Sequence, residues 1–152
     1  MKRLIAVLLL SLIILTACAP APGEPLDETP VSVESASYLS AQVGFTVTQP
    51  ADSRNHTFSL INDVIAQMDF SYLGMNFSFR GSMIYSGQSL YGMFDNFESS
   101  QTEILSDESE ATYSVFKDGA CIITWYDSGI HKSLYCKRTL DKSILVQLAE
   151  QL

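Results

Sequence analysis

Histidine, cysteine, tryptophan and positive charge are all scarce in this chain: 152 residues hold two histidines, three cysteines, one tryptophan and nine Lys/Arg against seventeen Asp/Glu. A metal centre or a Cys–His nucleophile would need His56 or His131 beside further ligands, and each reads more simply as a surface histidine. Few cations, scattered along the sequence, make a poor Lys/Arg field for the phosphate backbones of DNA or RNA, which argues against nucleic acid as a partner. The same shortage argues against an electrostatic grip on anionic headgroups. Nor is there a long hydrophobic run: Leu4–Leu15 has twelve residues with only Ser11 polar, short of the ~20 that a spanning helix needs. Gly87-Gln88-Ser89-Leu90-Tyr91-Gly92 misses a nucleophile elbow because its second Gly comes one residue late. No catalytic residue and no cofactor is assigned.

What is present begins at the N-terminus. Lys2 and Arg3 precede the apolar run, which closes on Leu15-Thr16-Ala17-Cys18, the order of a secretory signal. Those four residues resemble the lipobox of bacterial lipoproteins, where cleavage before the Cys follows attachment of diacylglycerol to its thiol. The resemblance implies a signal peptide over 1–17, lipidation (a palmitate-type modification) at Cys18, and a mature protein on the extracytoplasmic face of the cell membrane. Two acyl chains on one cysteine hold a bilayer stably, where one would not. Removal of residues 1–17 takes away two cations and no acid, so the formal charge moves from −8 to −10. Residues 19–30 then carry four of the five prolines and almost no bulky apolar side chain. That composition reads as an extended tether, and with Cys18 it makes an 18–32 linker before a single domain over 33–152.

Within the domain the periodicity predicts an α+β fold: an antiparallel sheet of about six to eight strands in two meanders, with a short N-terminal helix and a C-terminal helix packed on it. Glu34–Gly44 has a helical stripe of Ala36, Leu39 and Val43, with Ser32 or Ser35 to cap it and Gly44 to end it. Phe45-Thr46-Val47 then reads as the start of a strand. From Phe58 to Met83 the period is two. Val64, Ala66, Met68, Phe70 and Tyr72 share one face, and across Leu73-Gly74 the pattern continues with Met75, Phe77 and Phe79. Residues 84–110 give no clear pattern. Strands over 111–117, 120–126 and 130–136 follow, joined at Asp118-Gly119 and at Asp127-Ser128-Gly129. Asp141 opens a final helix whose stripe is Ile144, Leu145, Leu148 and Leu152.

Trp125, Gly129, the strand to Cys136, Leu140-Asp141-Lys142 and the closing Leu148-Ala149-Glu150-Gln151-Leu152, with Val43-Gly44-Phe45-Thr46-Val47 near the start, resemble the DUF4367 family. That family occurs in lipoproteins and anti-sigma-like membrane proteins of Gram-positive bacteria. The resemblance implies a fold and an address at the cell envelope, and supplies no catalytic residue.

Cys121 and Cys136 are the candidates for a disulfide. A two-residue turn at Ser128-Gly129 sets them directly opposite, whereas a three-residue turn sends them to opposite faces. Tyr91, Phe94 and Trp125 are candidates for a binding surface, against the plainer reading that aromatics in a small domain are core. The acidic stretch Asp95–Glu110 lacks the alternating spacing and central Gly of a calcium loop and reads as solvated, so no metal is expected. The expected function is a non-enzymatic binding or accessory domain whose partner is an envelope protein or a cell-wall component. The alternative is a hydrolase or transferase built on acids such as Asp69 and Asp95.

Overall fold

The computed structural model describes residues 29–86, 90 and 97–152. In chain order these form β1 (Val31–Val33), α1 (Ala36–Val43), β2 (Arg54–Ile61), β3 (Ile65–Tyr72), β4 (Met75–Ser82), β5 (Phe97–Ile104), β6 (Glu110–Phe116), β7 (Cys121–Asp127), β8 (Ile130–Cys136) and α2 (Lys142–Ala149). All eight strands join one antiparallel sheet in the order β1-β2-β3-β4-β8-β7-β6-β5. The expected class, both meanders and both helices are therefore present. The meanders meet through β4 and β8, where Phe79 pairs with Leu134.

Side-chain alternation gives the sheet two unequal faces. On one, Ala66, Met68, Phe70, Phe77, Phe79, Ile123, Trp125 and Leu134 are buried with Leu39 of α1 and Leu145 and Leu148 of α2. Both helices thus cover the face that the period-two pattern marks as apolar. Ser35 caps α1 by accepting from the Tyr38 N–H at 3.2 Å, and Asp141 caps α2 by accepting from the Ser143 N–H at 2.9 Å. A second, smaller cluster lies on the other face, where Ile61, Ile65, Phe116, Ala120 and Ile122 surround Leu90. Leu90, from the connection between β4 and β5, is thus buried on this face.

Two hairpin turns decide the register. Leu73-Gly74 and Ser128-Gly129 each place both residues at positive φ, 50° and 76°, then 51° and 86°. That is the two-residue geometry whose twist matches the flanking strands. Asp127 accordingly pairs with Ile130, and the β7–β8 ladder runs to Cys121 opposite Cys136.

Three expectations are corrected. Phe45–Val47 is not a strand: its backbone crosses the core edge, with the Val47 N–H donating to Ser40 Oγ at 2.9 Å while Phe45 and Val47 are buried. The 18–32 linker gives up its last two residues, because Val31 and Ser32 pair with Leu60 and Ser59 in β1. Phe97–Ile104, in the stretch without a legible pattern, is a full edge strand paired with β6.

The pairs Val31–Leu60, Leu60–Ala66, Ala66–Gly81, Gly81–Lys132, Lys132–Trp125, Trp125–Ala111 and Ala111–Glu103 make one row across all eight strands. This row orients the molecule. The chain enters the sheet at the end where Asn62-Asp63, residues 105–109 and Ser128-Gly129 turn, here the entry end. At the opposite, far end lie Leu73-Gly74, Lys117–Gly119 and the exit of β8.

Candidate functional site

Two hollows meet at the far end, on residues that alternation and hairpin geometry aim outward. Ser71 pairs with both Arg54 and Asn76, and Phe77 pairs with Cys136, so Lys137 stands level with Asn76 on the next strand. The first hollow, about 390 Å³, lies over β2, β3, β4 and β8 and is lined by Asn55, Asp69, Ser71, Asn76, Ser78, Tyr135 and Lys137, with Phe70 and Phe77 at its base. The second, about 410 Å³, lies between the β3–β4 turn and the β8 exit and is lined by Gly74, Met75, Asn76, Cys136, Lys137 and Arg138. Asn76 and Lys137 belong to both.

A hydrogen-bonded lattice fixes the polar side chains. Ser71 Oγ donates to Asn76 Oδ1 at 3.0 Å and receives Asn55 Nδ2 at 3.5 Å. Asn55 reaches it from a left-handed backbone, φ 56°, at the β2 irregularity between Arg54 and Thr57. Further along β3, Arg80 Nε donates to Gln67 Oε1 at 2.8 Å and Gln67 Nε2 donates to Asp69 Oδ2 at 2.8 Å. Asp69 is thus held as an acceptor at the groove wall. Burial raises the Tyr135 phenol above its ordinary range, with the Asp118 charge adding to the effect, so it stays a neutral hydroxyl at neutral pH. Lys137 and Arg138 are exposed. Amides, hydroxyls, one carboxylate and two cations equip this end for hydrogen bonding and charge pairing.

Other residues singled out by the sequence fall elsewhere. Cys18, Tyr91, Phe94 and Asp95 lie outside the described residues. Trp125 is 5 % exposed, beneath α2 and with Lys132 Nζ 5.9 Å from its ring centre, so it belongs to the core and not to a binding surface. Cys121 and Cys136 are directly opposed, buried and free. Cys121 Sγ donates to the Arg138 carbonyl at 3.0 Å, and burial pushes its thiol up to about 11. Neither histidine stands free at the surface: His56 meets Ser53 Oγ at 2.8 Å and stacks on Phe58 and Phe70, while His131 packs on Tyr126. Among the described residues no three His, Cys, Asp or Glu side chains gather to hold a metal ion, and no helix is long and apolar enough to cross a membrane. Asp107 turns inward on its own loop, its carboxyl held below the usual range by the Ser109 hydroxyl and N–H.

No family model, curated protein or solved structure matches this chain.

Sequence reasoning missed the far-end site because its polar parts are neutral or singly charged residues split between positions 55–78 and 135–138. Only the β4–β8 pairing joins them. The one local signal was the pair Lys137-Arg138 directly after a strand.

Proposed function

We propose that this chain is a lipoprotein held on the extracytoplasmic face of the cell membrane through diacylglyceryl on Cys18. Its domain is a non-enzymatic binding module of the cell envelope, related to the DUF4367 family, that takes an envelope protein or cell-wall component. The observation that carries the reading is an order along the chain: basic residues, a short apolar run, Leu15-Thr16-Ala17-Cys18, prolines, and then a folded sheet from Val31. Such an order separates an anchoring segment from a domain that stands off the bilayer. The polar hollows at the far end supply the surface for a partner. Cys18→Ala is expected to abolish incorporation of radioactive fatty acid and to leave the unprocessed precursor in the membrane fraction. Normal processing and labelling of the mutant would overturn the anchor.

A further inference from the structure

We infer that the far end of the sheet is a binding site for a linear polyanion, centred on Lys137 and Arg138. This deepens the reading of the domain as a binding module and names the chemistry of what it binds. The chain is acidic overall, yet its charge is distributed unevenly. At the entry end stand Asp63, Asp107, Glu108, Glu110, Asp127 and Glu150, where Lys132 is buried and bonded to Asp127 at 2.7 Å; Lys142 of α2 is bonded to Glu103, on the same cross-sheet row as Lys132. At the far end stand Arg54, Lys117, Lys137 and Arg138, all exposed and none in an ion pair among the described residues. Five acids stand close to them: Asp118 and Asp141 each turn an oxygen to a backbone N–H, of Ala120 and Ser143, Asp69 on the wall of the first hollow accepts from Gln67, and Asp52 and Glu98, the latter beside the Phe97–Phe116 pair, are exposed.

Locally the contrast is sharper. The 410 Å³ hollow is lined by Lys137, Arg138 and the Asn76 amide, with no acid. Asn76 accepts from Ser71 through its Oδ1, which leaves the Nδ2 donor for a ligand. An arginine fork, an ammonium and an amide donor together are the equipment for phosphate or carboxylate oxygens.

The layout also sets the ligand's length. Arg54 on β2 and Lys117 after β6 are five strands apart in the sheet, with Lys137 and Arg138 between them. At ~4.8 Å per strand the line of cations runs roughly 24 Å, several times the size of one anion. A chain of repeated anionic groups spans it. Charge complementarity favours a soluble or wall-held polymer over the bilayer, because the acidic entry end is the one the tether joins.

The test uses the full lipidated chain in non-ionic detergent at low salt, titrated calorimetrically with inorganic polyphosphate and with poly-L-glutamate as phosphate- and carboxylate-bearing probes. Saturable binding of at least one polymer is expected, weakening by about tenfold or more when salt rises into the physiological range. Lys137→Glu/Arg138→Glu should weaken it by about tenfold or more, Lys137→Gln/Arg138→Gln by less, and Glu108→Gln at the entry end should leave it within about twofold. Each variant is compared at an unchanged thermal melt, and both substituted positions are exposed. Absence of saturable binding, or equal binding by the double glutamate variant, overturns the site. Equal affinity for inorganic phosphate overturns the polymeric ligand. Capture by phosphatidylglycerol vesicles of a Cys18→Ala chain, lost on Lys137→Glu/Arg138→Glu, overturns the choice of polymer over bilayer. Because Cys18→Ala should leave polymer binding unchanged, failure of the anchor and failure of this site are read apart.

Discussion

At the scale of single residues the decisive effects are burial and pairing. Cys121 and Cys136 occupy one row of the β7–β8 ladder. Counting from the Asp127–Ile130 pair beside the two-residue turn, theirs is a hydrogen-bonded pair, with Cα atoms ~5.5 Å apart. That separation lies within disulfide range, yet both thiols are free, and desolvation holds Cys121 at about 11. Almost no thiolate therefore exists at pH 8, and burial closes the route to it. Ellman's reagent is expected to find no thiol at these positions in the native chain and two in denaturant; two missing thiols in denaturant would mean that they are joined. Lys132 is the other buried group, with Nζ donating to Asp127 Oδ2 at 2.7 Å and to the Leu152 carbonyl at 3.1 Å. The hydrogen bond from Lys132 is the largest influence keeping the Asp127 carboxyl below its ordinary range, with Ser128 second. A carboxylate shifted down stabilises the fold at neutral pH and loses that contribution as pH falls through its lowered value. Asp127→Asn should cost about 1–2 kcal/mol at pH 7 in denaturant melts, since a buried ammonium loses its counter-charge, with the difference from the parent shrinking toward pH 3.

At the scale of elements, α2 closes the apolar face. Leu145 and Leu148 are fully buried, while Gln147 points outward from the same helix. Leu148→Ala is expected to cost about 2–5 kcal/mol, because a buried leucine leaves a cavity that its neighbours fill only in part. Gln147→Ala should stay within about 0.5 kcal/mol in the same melts. Equal and mild effects would detach α2 from the core. How legible an element was in the sequence follows how one-sided its burial is. In β3 and β4, Ala66, Met68, Phe70, Phe77 and Phe79 alternate with Gln67, Asp69, Ser78 and Arg80, so a period of two stands out. In β5, residues 98–102 are exposed on both faces of an edge strand, and Glu-Ser-Ser-Gln-Thr carries no alternation to detect. The far-end site was less legible still, since Arg54, Lys117 and Lys137 come to one end of the molecule only in the assembled sheet.

At the scale of the whole molecule, the boundary between anchor and domain is a physical claim about where packing starts. Residues 19–28 carry Pro20, Pro22 and Pro25 with Glu24, Asp27 and Glu28, a composition that cannot bury enough surface to offset its ordering. Val31–Val33 already belongs to the sheet: the three residues pair with Leu60, Ser59 and Phe58, and Val33 packs against the main core. The boundary therefore falls within a few residues of Pro30. Two deletions, each made in the full chain so that Cys18 is kept, locate it. Loss of residues 19–28 should leave stability within about 0.5 kcal/mol, because a segment of that composition contributes little to folding. Loss of residues 19–33 should cost about 1–3 kcal/mol, through the β1 ladder hydrogen bonds and the apolar surface of Val33 and Leu60 that becomes exposed. Denaturant melts read both. Equal losses would mean that the proline segment packs on the domain, and no loss in either would make β1 an ornament of the edge that β2 can do without.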